Sequence, residues 1–479
     1  MPKIGLNNPP MAPALLQAIS KDMGCTQINF CDINLLFQKW FSTDYKILND
    51  WCELREPLNA DIENKLIEFS LSLPLSDIFD AEILGISVFS QHSVMFSEWF
   101  LKTYRSKIKG IIVVGGAGVS VNNFGKELYD QSLIDFFVIN EGERAWKSIL
   151  AGTLPHPGVN SSGDSLPDFN DVPVPDYSGY MLNEYLNSQA MGTTVGVEGS
   201  RGCVRNCTFC DIKSFWKKYK FKDGVRLANE LIELKQRYEV EHFFFNDSLV
   251  NGSDRAFRDF IATLSEYNLN NDKKIKWSGY YIIKGGNIYG DDDWINLKNS
   301  GVQSLYIGIE SGSERVRDHM KKKFSDADID AVMEKIQFYG IKCTWLLIVG
   351  YPTETEEDFN LTLDLLRKYQ PMALDRTIDT VALGMTMGIL PGSPLEGLRE
   401  ELNIHAVITD ASANGINWEN ENSNFHTRVL RRIRAEETIR ELGYNSWVGD
   451  NDVISYFENK IKELEENKLV NDDIAEYHG

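Results

Sequence analysis

At 479 residues the chain exceeds what one hydrophobic core usually supports, and with 43% hydrophobic and 25% charged residues it has the make-up of a folded protein rather than a disordered one. Its formal net charge of −21, from 70 acidic against 49 basic side chains, repels a phosphate backbone and argues against nucleic acid as a partner. No run approaches the roughly 20 apolar residues of a membrane-spanning helix, and residues 1–16 lack the apolar stretch and cleavage pattern of a secretory signal, so the expectation is a cytoplasmic protein without a membrane partner. Local basic clusters at 213–222 and 321–323 lie in stretches of mixed polarity and read as solvated helix faces.

Over residues 1–153 short apolar runs alternate with amphipathic stretches, the pattern of a parallel sheet covered by helices. Strands are predicted at 26–30, 83–89, 110–114 and 136–139, and helices at 12–23, 60–71 and 93–104. This first domain is expected to be a Rossmann-like open sheet. Residues 154–190 form a linker, rich in Pro, Gly, Ser and Asp over 154–180 and without a regular period. A second series of strands is predicted at 194–198, 242–245, 276–281, 304–309, 343–349 and 380–384. Helices alternate with them at 224–238, 253–267, 292–300, 326–339 and 356–368. Six strand–helix units over residues 191–398 indicate a partial (β/α)6 barrel, too short for the eightfold form, with its site at the C-terminal ends of the strands. Residues 399–479 are expected to be a small C-terminal helical region, with helices at 427–442 and 453–467. The fold class is therefore α/β.

Seven cysteines are too few and too uneven a number for a disulfide framework, yet three fall within eight positions in Gly199–Ile212, GSRGCVRNCTFCDI. Cys203, Cys207 and Cys210 directly follow the first predicted barrel strand, where a loop can wrap three thiolates around one face of an iron–sulfur cube. Such a cube keeps one iron without a protein ligand, and a small molecule can bind there. A zinc site is the rival, with His242 or Cys343 as a remote fourth ligand, although no second CxxC pair accompanies Cys207 and Cys210.

The CxxxCxxC loop after the first strand of a short barrel, with Phe209 just before the third cysteine, resembles the radical S-adenosylmethionine (SAM) superfamily. The resemblance implies a [4Fe-4S] cluster on Cys203, Cys207 and Cys210, SAM bound at the open iron, and a 5′-deoxyadenosyl radical formed by reductive cleavage. It also implies a protein reductant such as a flavodoxin or ferredoxin, and a substrate that is a small molecule or a peptide. By the same resemblance the SAM-binding residues are Phe209, Asn246 and Asp247 of FFFNDSLVNG, Glu310 and Ser311 of YIGIESGSE, and Gly350 and Tyr351 of TWLLIVGYPTET. From the residues alone, Asp247 reads equally as a helix cap and Glu310 as an ion-pair partner of Lys321 or Arg315. Pro391 and Gly392 follow the last strand in the order the family shows. Trp277, Tyr280, Tyr281 and the aromatics of 215–219 are candidates for the substrate cavity.

The opening NNPPMAPALLQAIS, the segment 31–34, VVGGAGVS and INEGERAW together resemble the cobalamin-binding-like domain that precedes the barrel in some members. Gly115, Gly116 and Gly118 would let cobalamin approach the backbone; packing of strand on helix explains the same glycines. No D-x-H-x-x-G pattern is present, and His92 has the wrong neighbours for one, so cobalamin would bind without a histidine ligand. Three functions follow: radical SAM chemistry with cobalamin, as in a methyltransferase; radical SAM chemistry without it; and a non-catalytic zinc module.

Overall fold

The computed structural model describes residues 7–40, 48, 51, 58–89, 91–153, 168–286, 288–384, 387–406 and 418–446. The predicted helix at 453–467 and residues 154–167 of the predicted linker lie outside them. Two compact units are present: Met1–Val197 with Asn229–Phe244, and Glu198–Ala228 with Phe245–Gly479. No helix among the described residues is long and apolar enough to cross a membrane.

The first unit is built on a three-stranded parallel sheet, Ile83–Ser87, Ile111–Gly115 and Phe136–Phe137, with the second strand in the middle. The β-branched run of that strand explains its place, because side chains alternate between two faces and each face meets its own apolar layer. Ile112 and Val114 join a core with Leu66, Phe69, Phe96 and Phe100, supplied by the helices Ala60–Ser70 and Gln91–Tyr104. Val113 faces the other way, onto Val138, Ala145 and Ile149, beside the helix Glu143–Leu150. A sheet covered on both faces is the Rossmann-like arrangement expected. The strand predicted at 26–30 does not form. Thr26, Gln27 and Asn29 face solvent, and Phe30 instead stacks on Tyr180 with ring centroids 3.7 Å apart.

In the second unit five strands lie side by side in the order Lys276–Tyr281, Val302–Glu310, Cys343–Leu347, Ile378–Leu383 and Asn445–Ser446, all parallel. Trp277, Leu305, Ile307, Trp345 and Val381 are fully buried, as expected of parallel strands covered on both faces. Strands also form where predicted at Thr194–Val197, in the first unit, and at His242–Phe245, which belongs to the first unit up to Phe244. Capping boxes start the helices Asp326–Phe338 and Glu356–Lys368, from Ser325 with Asp328 and from Thr355 with Asp358. The C-terminal segment supplies the helix Phe425–Glu441, and also the two-residue strand that extends the sheet beside Thr380 and Val381.

The glycine turn after Ile111–Gly115 shows how tightly the first unit is closed. Gly116 has a φ of +101°, and a Cβ there would lie 2.4 Å from the carbonyl oxygen of Val88. Gly116→Ala is expected to lower the stability of this unit by about 1–3 kcal/mol, read as a shift of the denaturant midpoint. An unchanged midpoint would show that the turn relaxes freely.

Candidate active site

The cysteine loop grows from a clasp. Ser200–Arg201 pairs antiparallel with Lys220–Phe221, and the Lys222 N–H donates to the Gly199 carbonyl at 2.8 Å. Gly202 makes the turn possible with φ +80°, since a Cβ would sit 2.9 Å from the Lys218 carbonyl oxygen and 3.1 Å from Trp216. Arg201, buried, pairs with Glu198 at 2.8 Å and lies over the Trp216 ring. Asp247 ties the base of the loop: one carboxylate oxygen accepts the Gly199 N–H at 2.9 Å and the other the Ser200 hydroxyl at 2.6 Å. Burial pushes the Asp247 carboxyl up to about 7, against those two hydrogen bonds.

Between the thiols the loop is pinned at Thr208, which is buried. Its N–H donates to the Met320 carbonyl at 3.1 Å, its carbonyl accepts the Leu395 N–H at 2.7 Å, and its hydroxyl lies 2.7 Å from that of Tyr351. Tyr351 in turn meets Nδ1 of His319 at 2.8 Å. Arg205 fixes the other arm by donating to the Ile283 carbonyl at 3.1 Å. Held in this way, Cys203, Cys207 and Cys210 are all half-buried. Burial pushes the Cys207 thiol up to about 11, and the other two cysteines add to the rise. Burial also raises Cys210. A positive centre bound by Cys207 and Cys210 would have to displace their protons.

Among the described residues, no three His, Cys, Asp or Glu side chains converge where a single ion would sit. A lone zinc needs such convergence, whereas a cube spreads its thiolates over separate irons. Cys343, one of the remote ligands considered for zinc, is fully buried within its strand and strongly raised by that burial.

Glu310 ends its strand with φ +68°, a conformation seldom adopted by a residue with a side chain. The register with the next strand shifts at this point. Its carboxylate is 2.9 Å from Nζ of Lys322, so the partner is neither Lys321 nor Arg315; Arg315 pairs with Asp358. Gly308 makes room for the pair, since a Cβ there would lie 2.2 Å from Oε1 of Glu310 and 3.0 Å from Nζ of Lys322. Burial pulls the Lys322 ammonium down, but Glu310 and Cys207 outweigh it and hold the group charged. Lys322 also lies 5.9 Å over the ring of Phe209, which packs against Val316, Met320 and Tyr351. Cys207, Phe209, Glu310 and Tyr351 are thereby gathered in one place, together with Thr208, His319 and Lys322; the cluster 321–323 was expected on a solvated helix face, but the helix ends at His319 and the Lys322 side chain, only 11% exposed, is held by Glu310.

The remaining predicted residues divide. Asn246 is exposed beside Asp247. Ser311 is fully buried, its hydroxyl 3.4 Å from that of Thr362 and accepting the Ser313 N–H. Gly350, at φ +84°, donates its N–H to Glu354, and a Cβ there would lie 2.4 Å from Arg428. The helix Asp254–Leu269 is capped by Ser253, so Asp247 is not a helix cap. Trp277 and Tyr281 are core residues, and Trp277 donates to the Ser300 hydroxyl at 3.0 Å. In the first unit, Gly116 and Gly118 pack against Val88, which accounts for both by close packing; at Gly115 a Cβ would meet only Val138, at an ordinary 3.8 Å.

A model of the Radical SAM superfamily matches residues 197–366. An uncharacterized methyltransferase of Pyrococcus horikoshii is 26% identical over 66% of this chain and 71% of its own length. Further relatives are matched over 59% and 55% of their lengths. Two solved structures share the fold. The radical SAM methyltransferase TsrM of Kitasatospora setae, with cobalamin and a [4Fe-4S] cluster bound, has a TM-score of 0.60 at 14% identity over 85% of this chain and 79% of its own. The cobalamin-dependent SAM radical enzyme OxsB, with aqua-cobalamin bound, has a TM-score of 0.62 at 15% identity over 97% and 70%.

The brace at Asp247 carries a pH signature. Its folded value lies well above the ordinary carboxylate value of about 4, so the native state keeps a proton that the unfolded chain has released, and stability falls as pH rises between about 4 and 7. Asp247→Asn removes that loss. Relative to wild type, the metal-free variant is expected to gain roughly 2–4 kcal/mol between pH 5 and pH 8 in denaturant titrations. A difference independent of pH would show that the carboxyl titrates normally.

Proposed function

We propose that this chain, a member of the radical SAM superfamily, holds a [4Fe-4S] cluster on Cys203, Cys207 and Cys210 and reductively cleaves SAM at the iron they leave open, in order to modify a small molecule or a peptide. The observation that carries this reading is the loop itself: three half-buried thiols within eight positions, with a buried anchor at Thr208 between the second and third. When bound, the cluster supplies the electron that breaks a carbon–sulfur bond of the sulfonium. The chain's residues position and shield. Thr208, Tyr351 and Arg205 hold the loop in shape, and Phe209 keeps water from one side of it. Glu310 and Lys322 offer an acceptor and an ammonium to the polar groups of SAM, and Gly350 would bring backbone to the adenine. Asn246 is assigned to the SAM ammonium, because both oxygens of Asp247 already serve the loop base. Ser311 is assigned to the shape of the turn that carries Glu310.

For the modification we propose methyl transfer with cobalamin held by the Rossmann-like domain, taken as residues 1–153 ahead of the linker 154–190, the barrel 191–398 and the C-terminal region 399–479. Gly115 is the glycine through which backbone would meet the cofactor. The likeness in fold to TsrM and OxsB supports this reading. A second reading, the same chemistry without cobalamin, is favoured by the use of Gly116 and Gly118 in packing on Val88. The electron would come from a flavodoxin or ferredoxin, in the reducing cytoplasm.

Two measurements test these proposals. After anaerobic reconstitution, Cys207→Ala is expected to hold less iron and sulfide than wild type and to form no 5′-deoxyadenosine with dithionite and SAM. A full cluster and a wild-type rate in that variant would overturn the assignment. Incubation with hydroxocobalamin followed by desalting is expected to leave corrin absorption bands on the protein; their absence would decide for the second reading.

A further inference from the structure

The segment that leaves the third cysteine and returns beside the first breaks the charge pattern of the molecule. In a chain of net charge −21, residues 201–222 carry seven basic side chains and one acidic, Asp211. Arg201 is buried with Glu198, and Lys222 is buried. Lys213, Lys217 and Lys218 are exposed, and Lys220 and Arg205 are half-exposed. Phe215 and Phe221 stand among them, 45% and 43% exposed, with Val204 of the cysteine loop at 43%. The patch is held against the thiols. Trp216 donates its N–H to Ile212 at 2.8 Å, and a Cβ on Gly202, the neighbour of Cys203, would touch both Trp216 and Lys218.

We infer that this surface docks an acidic one-electron carrier protein, whose reduced cofactor is thereby brought to the outer edge of the cysteine loop. The inference rests on the reductive reading of that loop and adds where the electron enters. A few exposed apolar side chains ringed by lysines have the anatomy of a small, transient protein interface. Opposite charge on the partner steers such an encounter, raising the association rate without demanding tight binding. A nucleic acid would ask for positive charge spread along a track, whereas here exposed lysines alternate with exposed apolar side chains on one short segment of a protein of net charge −21. One electron crosses; the carrier is oxidised by one unit, and no atom or proton is exchanged at the interface.

The test compares wild type with Lys213→Glu/Lys217→Glu/Lys218→Glu, each reconstituted anaerobically and supplied with SAM. Driven by reduced flavodoxin at low salt, the variant is expected to form 5′-deoxyadenosine about tenfold more slowly, and wild type to lose its advantage as salt is raised. Driven by dithionite, which needs no docking, the two are expected to match. Should the charge-reversed protein also fail with dithionite, Lys→Gln changes at the same positions replace it, and slowing with flavodoxin alone is again the supporting result. Equal flavodoxin-driven rates overturn the inference and leave the cysteine assignment standing. The same holds if wild type retains tRNA in a salt-dependent way, the variant does not, and flavodoxin-driven rates are equal. Failure of wild type to form 5′-deoxyadenosine even with dithionite overturns the reading of the loop and the inference with it.

Discussion

Three thiols on one short loop depend on the backbone between them being fixed, and the fold fixes it at Thr208. This residue sits between the second and third cysteines with its N–H, carbonyl and hydroxyl all engaged by later parts of the chain, at Met320, Leu395 and Tyr351. Held at three atoms of one buried residue, the backbone between the second and third thiols is fixed. Burial raises Cys207 and Cys210 and so disfavours the bare thiolates. Binding a positive centre must displace the thiol protons, and a loop already held at Thr208 loses little further conformational freedom when that happens.

Strain and buried charge collect at the ends of the strands around that anchor. Glu310 takes a left-handed backbone conformation where the register shifts, and its carboxylate is matched by Lys322 over the bare backbone of Gly308. Breaking up such a pair leaves one charge buried alone, at a cost of about 3–5 kcal/mol, which is why its members move or stay together. Beyond the next strand, the sharp backbone at Gly350 is tied to Glu354, itself paired with Arg431 of the C-terminal helix. Irregular backbone at strand ends thus serves the site, while the strands behind it remain regular and apolar.

Most of the architecture was legible because helical and strand periods are written in the positions of apolar residues. His242–Phe245, Lys276–Tyr281, Gly224–Tyr238 and Glu356–Lys368 form with the predicted limits. The predicted strand at 26–30 failed for the opposite reason. Its alternation was real, but no neighbouring strand supplies hydrogen bonds, and a ring stack at Phe30 took over. Spacing also exposed the cysteines, whereas nothing local marked Thr208 or His319, and the run of lysines at 321–323 suggested a solvated face rather than the ion pair that Lys322 makes. Their roles come from contacts with other elements, 143 positions away for Thr208 with Tyr351, 32 for His319 with Tyr351 and 12 for Lys322 with Glu310. Asp247 was legible as a polar residue at a strand end, but its partners, Gly199 and Ser200, belong to another turn and decide that it braces rather than caps.

The glycines of the first unit show why a motif needs its surroundings. A missing Cβ serves close packing and cofactor approach alike, so the sequence GGAG cannot separate them. At Gly116 and Gly118 the backbone or side chain of Val88 already occupies the place a Cβ would take, and packing alone demands glycine. At Gly115 an alanine would fit, with its nearest neighbour at 3.8 Å. Among the described residues, close packing thus accounts for Gly116 and Gly118, and Gly115 is the one of the three that it does not demand.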